Sequence, residues 1–98
     1  MTEQARIVQV YRSSRRDGMY LFVDRKDDLR EVPQPLLEEF GRPEPSLVLH
    51  LTPNRKLQRA EAPAVLAAIR TRGYYLQMPP AEAEVERQIL AAMREQHG

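Results

Sequence analysis

Two runs near the start of the chain, "RIVQVYRS" (Arg6–Ser13) and "MYLFVD" (Met19–Asp24), are rich in Ile, Val, Tyr and Phe and read as strands. Both alternating faces of each run are apolar. Val8 and Val10 stand against Ile7 and Tyr11 in the first, and Met19, Leu21 and Val23 against Tyr20 and Phe22 in the second. A half-exposed strand would carry polar residues on one face, so this pair belongs at the centre of a sheet or between two covering layers. The connection "SRRDG" ends in Asp17-Gly18, which supplies a turn with positive φ at glycine and makes the two runs an antiparallel hairpin.

The pattern then changes period. "DRKDDLREVP" turns the chain, and Asp28-x-x-Glu31 has the spacing of a capping box. "PQPLLEEFG" (Pro33–Gly41) predicts a short helix with Leu36, Leu37 and Phe40 on one face, and "RPEP" breaks it. In "SLVLHLT" (Ser46–Thr52), Leu47, Leu49 and Leu51 alternate with Val48 and His50, which predicts a strand with one strongly buried face. Pro53-Asn54 turns into the extended "RKLQR". "EAPAVLAAIRTRG" (Glu61–Gly73) has an apolar stripe of Val65, Leu66 and Ile69, a proline in its first turn, arginines near its end and a terminal glycine, and predicts a helix. "YYLQM" (Tyr74–Met78) reads as a strand stopped by Pro79-Pro80, and a last helix over about Pro80–Gln96 places Val85, Ile89, Ala92 and Met93 together.

The order β-β-α-β-α-β-α predicts an α+β fold, a small sandwich of a mostly antiparallel sheet of three or four strands with helices packed against it. With 98 residues the expectation is a single domain, 1–98, in which 81–98 is a peripheral helix. The absence of cysteine excludes a disulfide framework, a thiolate zinc site and a cysteine nucleophile. The longest apolar run, "AVLAAI", falls far short of the roughly 20 residues needed to cross a bilayer, and "MTEQAR" has no signal-peptide pattern. A cytoplasmic protein with no membrane association is the expectation.

Net charge is only +1, but it is distributed in blocks: +3 over residues 1–26, −4 over 27–46, +4 over 47–73 and −2 over 74–98. A basic face hidden by the total would exist if the two positive blocks adjoined in space.

With "YRSSRRDGMYLFV", "DDLREVP", "LLEEFGRP", "RKL" and "GYYLQMPP" in this order, the chain resembles the YcgL family from about Arg6 to Pro80. Members often have lysine at the position of Arg15, aspartate at that of Glu61 and leucine at that of Met78, which are mild departures. The resemblance implies a compact α/β protein and carries no mechanism. Its recurring positions fall on Tyr11, Arg12, Ser13, Tyr20, Asp28, Pro33, Gly41, Arg55, Lys56 and the stretch from Gly73 to Gln77 with Pro79 and Pro80.

The chemistry on offer is anion binding. Arg12, Ser13, Ser14, Arg15 and Arg16 put hydroxyls, loop N–H groups and guanidinium forks into one connection, a set that matches phosphate oxygens. The ordinary alternative is a hairpin tip kept soluble by charge, with Arg12 paired to a nearby carboxylate. Arg55 and Lys56, with Arg59, form a second basic group whose ordinary alternative is a protected edge strand. Tyr74 and Tyr75 offer rings for a base or a proline-rich segment, or serve as core. The expected partner is RNA, a nucleotide or an acidic protein surface, met by a basic face that combines the hairpin tip with Arg55 and Lys56.

Catalysis has weaker support. Asp24, Asp27 and Asp28 with Lys56 would suit a metal-dependent phosphodiesterase or nuclease, but turn formation and capping explain the same carboxylates. His50 and His97 belong to no motif, and neither a G-x-S-x-G elbow nor a glycine-rich phosphate loop occurs among four glycines. No cofactor or resident metal is implied. A third reading treats the charges as internal ion pairs of an interaction module.

Overall fold

The first two apolar runs pair with each other in the computed structural model, which describes residues 3–79. β1 (Arg6–Ser13) and β2 (Tyr20–Asp24) form the expected antiparallel hairpin, with Val10 opposite Phe22 and Arg12 opposite Tyr20. Gly18 closes it at φ +85°, a backbone that L side chains rarely adopt, which is why glycine follows Asp17.

β3 (Pro43–Leu51) adds antiparallel to β1 and β4 (Tyr74–Gln77) antiparallel to β2, so the sheet order is β3-β1-β2-β4 with the hairpin at its centre. Its two apolar faces are both covered. On one, Val8, Val10, Phe22 and Leu51 pack with Val65, Leu66 and Ile69 of α2 (Ala62–Arg72). Full burial of each of those three helical side chains contributes roughly 1.5–3 kcal/mol. On the other face, Met19, Leu21 and Val23 pack with Val32 and with Phe40 of α1 (Gln34–Phe40). The architecture is an α+β fold; the expected helix over 80–96 lies outside the described residues.

Three local expectations are corrected. β3 starts at Pro43 rather than Ser46, and the prolines expected to separate helix from strand lie within it. An edge strand tolerates them because one of its backbone sides has no ladder to lose. Of its three leucines only Leu51 is fully buried; Leu49 is partly covered and Leu47 is 49% exposed, since α2 does not roof that part of the edge. Secondly, Asp28 does not cap. It begins a 3-10 turn (Asp28–Glu31) at φ +53°, and its carboxylate accepts instead from the Tyr11 hydroxyl. Thirdly, "RKLQR", read as extended with an edge strand as its ordinary alternative, joins no strand of the sheet. The turn at Pro53-Asn54, closed by the Arg55 N–H to the Thr52 carbonyl, sends the chain back so that Leu57 packs on the α2 side of the sheet. Lys56 makes only an isolated bridge with Glu61.

Candidate functional site at the hairpin tip

Pairing Ser13 with Pro43 brings the hairpin tip beside the connection between α1 and β3. The two are clasped by serines. Ser13, which is buried, donates its hydroxyl to the Phe40 carbonyl and accepts from the Arg15 and Arg16 N–H groups at 3.0 and 3.1 Å. Ser14 Oγ accepts from the Arg42 N–H at 2.7 Å. Gly41 lies under this clasp: a Cβ there would meet Ser14 Oγ at 2.6 Å and Arg15 Cγ at 2.7 Å.

This geometry changes the composition of the expected anion site. The Ser13 hydroxyl and the two loop N–H groups point into the protein, so they hold the loop and are not offered to a ligand. What the tip offers is guanidinium. Arg12, Arg15 and Arg16 are exposed, and Arg42 joins them. Arg12 is paired with Glu44 at 3.6 Å, the neutralising contact expected of the ordinary alternative. Among the described residues Arg15, Arg16 and Arg42 form no ion pair. Arg42 was not among the residues expected at the tip. Nothing in "GRPEP" marks it as a neighbour, because the juxtaposition depends on the register of β3 against β1.

Arg55 and Lys56 leave the sheet elsewhere. Pro43 is opposite Ser13, whereas Leu51 is opposite Arg6, and these ends of β1 are roughly 23 Å apart at ~3.3 Å per residue. The chain thus leaves β3 at the end away from the tip, and Arg55 and Lys56 line their own cavity of about 430 Å³ with Asn54 and Glu61. The tip cluster is built without them. Tyr74 and Tyr75 do point to opposite faces, and both are half-buried. The Arg72 guanidinium lies 5.5 Å from the Tyr74 ring centre, and Tyr75 meets Phe22 edge-on at 5.8 Å.

Two of the three candidate aspartates, Asp24 and Asp28, are engaged within the fold. Asp24 pairs with Arg6 at 3.0 Å and accepts from the Lys26 N–H at 2.8 Å, and Asp28 holds Tyr11. Burial, then the hydrogen bond and negative charge of Asp28, push the Tyr11 hydroxyl up to about 12. Among the described residues no three His, Cys, Asp or Glu side chains gather to hold a metal ion, so Asp24, Asp27 and Asp28 do not form the site expected of a metal-dependent nuclease. His50 is exposed on β3. No helix among the described residues is long and apolar enough to cross a membrane.

Comparison with known proteins places this arrangement in a family. A family model described as the YcgL domain matches residues 8–80. A "YcgL domain-containing protein" of Stutzerimonas stutzeri is 53% identical over 78 residues, covering 80% of this chain and 80% of the relative. A similarly described protein of Saccharophagus degradans is 51% identical over 74 residues, 76% of this chain and 81% of its own. "Protein YcgL" of Salmonella arizonae is 43% identical over 84 residues, 86% of this chain and 76% of its own. The chain belongs to the YcgL domain family.

Proposed function

We propose that the protein is a non-catalytic, cytoplasmic binding protein that takes an anionic partner at its hairpin tip. The observation that carries this reading is the serine clasp, which holds the Arg42 backbone to Ser14 and sets the stem of Arg15 against Gly41, next to Arg16, with no carboxylate paired to any of the three arginines among the described residues. Guanidinium forks match phosphate or carboxylate oxygens two at a time, and a fixed loop loses less side-chain freedom on binding than a mobile one. Arg12, half-engaged by Glu44, stands at the margin, and Arg55 and Lys56 would meet only a partner long enough to reach the other end of β3.

The test is affinity against salt for three probes: a labelled single-stranded RNA, a nucleoside triphosphate and a polyglutamate peptide. At least one should bind, and affinity should fall steeply with salt. Replacing Arg15, Arg16 and Arg42 together by alanine should flatten that dependence, by about 0.7 in the log–log slope for each RNA phosphate that is no longer neutralised. Failure of all three probes to bind, or an unchanged slope in the triple variant, would remove the tip from consideration.

A further inference from the structure

On the α2 side of the sheet, an open groove of about 280 Å³ lies between the sheet and the loop that precedes α2. Val10, Tyr20, Phe22, Leu47, Leu49 and Leu57 line it. The primary amides of Gln58 and Gln77, with Ser46, supply its polar groups. No charged side chain lines it, and no α2 residue closes it.

Arginines stand at its margins, one of them, Arg12, paired with Glu44. Arg12 follows Val10 at the next position on the same face of β1, opposite Tyr20, at the tip side of the groove, and its guanidinium lies 3.6 Å from the Glu44 carboxylate of β3. Arg59, beside Gln58, donates to the Met78 carbonyl at 2.9 Å and ties the loop to the end of β4 next to Gln77. Beyond Arg12, the chain reaches the cluster of Arg15, Arg16 and Arg42.

We infer that this groove seats one unpaired base of a single-stranded nucleic acid, whose phosphates run past Arg12 onto the arginines of the tip. The inference rests on the anionic-partner reading above and names the partner. A neutral, partly aromatic slot beside exposed guanidiniums is complementary to a ligand that is apolar and planar at one point and anionic on both sides of it. Unpaired bases are recognised by stacking on aromatic rings and by hydrogen bonds to their edges, for which a primary amide offers both a donor and an acceptor. The volume lies just below the roughly 300–1,000 Å³ of sites for drug-sized molecules, which suits a single ring system rather than an extended cofactor. An acidic peptide would satisfy the arginines but leave the aromatic rings and both amides unused. A duplex keeps its bases stacked and cannot deliver one.

The experiment compares a labelled single-stranded RNA about eight nucleotides long, within the usual range of site sizes, with an abasic strand of identical phosphate number and a blunt duplex. The intact strand should bind about a hundredfold more tightly than the abasic one, about tenfold from one stacked base and about tenfold from hydrogen bonds to the two amides. The double variant Gln58→Ala, Gln77→Ala, shown to be folded by circular dichroism, should lose about tenfold for the intact strand, as expected for hydrogen bonds from two amides. It removes no charge, so its affinity for the abasic strand should stay as it was. Equal binding of intact and abasic strands, or preference for the duplex, overturns the groove and leaves the basic tip standing. A base preference undiminished in the double variant places the base elsewhere and overturns it too. Binding of no strand by the folded protein overturns the groove, and the tip reading falls only if the other anionic probes fail as well.

Discussion

The hydroxyl of Ser13 donates to the carbonyl oxygen of Phe40, 27 positions along the chain, and joins the end of β1 to the end of α1. Phe40 is the last residue of α1, so its carbonyl has no partner within the helix. Ser13 satisfies it in a buried place where water does not substitute. Ser13→Ala should therefore cost about 1–3 kcal/mol, the penalty for a buried acceptor left unpaired, read as a lower urea midpoint with an unchanged slope. A midpoint that does not move would show that the clasp is ornamental.

Gly41 should be a second sensitive position of the same clasp. Its φ is +82°, and an added Cβ would fall 2.6 Å from Ser14 Oγ and 2.7 Å from Arg15 Cγ. Gly41→Ala has to push the tip away from α1 or bend the connection, at a cost of about 1–3 kcal/mol. Displacing Arg15 should also weaken anion binding, which separates this variant from an ordinary destabilised one such as Leu66→Ala.

The Tyr11–Asp28 contact predicts a dependence on alkaline pH. Tyr11 titrates near 12 in the folded protein, against about 10 for an unperturbed tyrosine. The folded state holds this proton more tightly than the unfolded one, so the stabilisation is fully present below pH ~10 and is lost as pH rises towards ~12. Tyr11→Phe should remove that part of the alkaline decline, seen by comparing denaturation midpoints of the two proteins across the window. Parallel profiles for both would refute the assignment.

The uneven burial of β3 can be checked along a single strand. Leu51 is fully buried, so Leu51→Ala should cost about 2–5 kcal/mol. Val48 is 44% exposed on the edge, and Val48→Lys should change stability by no more than about 0.5 kcal/mol. Comparable losses from both would mean that the edge is covered in solution.

Much of the fold was legible because its signals are local. Apolar residues on both faces of Arg6–Ser13 and Tyr20–Asp24 require a central hairpin, and the sheet places them there. Val65, Leu66 and Ile69 face the sheet as their helical spacing dictates, and Gly18 takes the positive φ that its turn demands. The boundaries of β3 were less legible, since proline disfavours a strand in general but not on an edge whose exposure depends on the neighbours.

The candidate site divides the same way. Residue types alone identify a cationic hairpin tip, because charge survives whatever the chain does around it. Periodicity likewise assigns a side chain to a face. It does not say which strand lies alongside or in what register, and that pairing is what turns Ser13 inward to Phe40, delivers Arg42 to the tip and carries Arg55 and Lys56 away from it. These contacts join segments far apart in the chain, and their partners are selected by the burial of the whole sheet between two helical layers, a quantity that no short stretch of sequence contains.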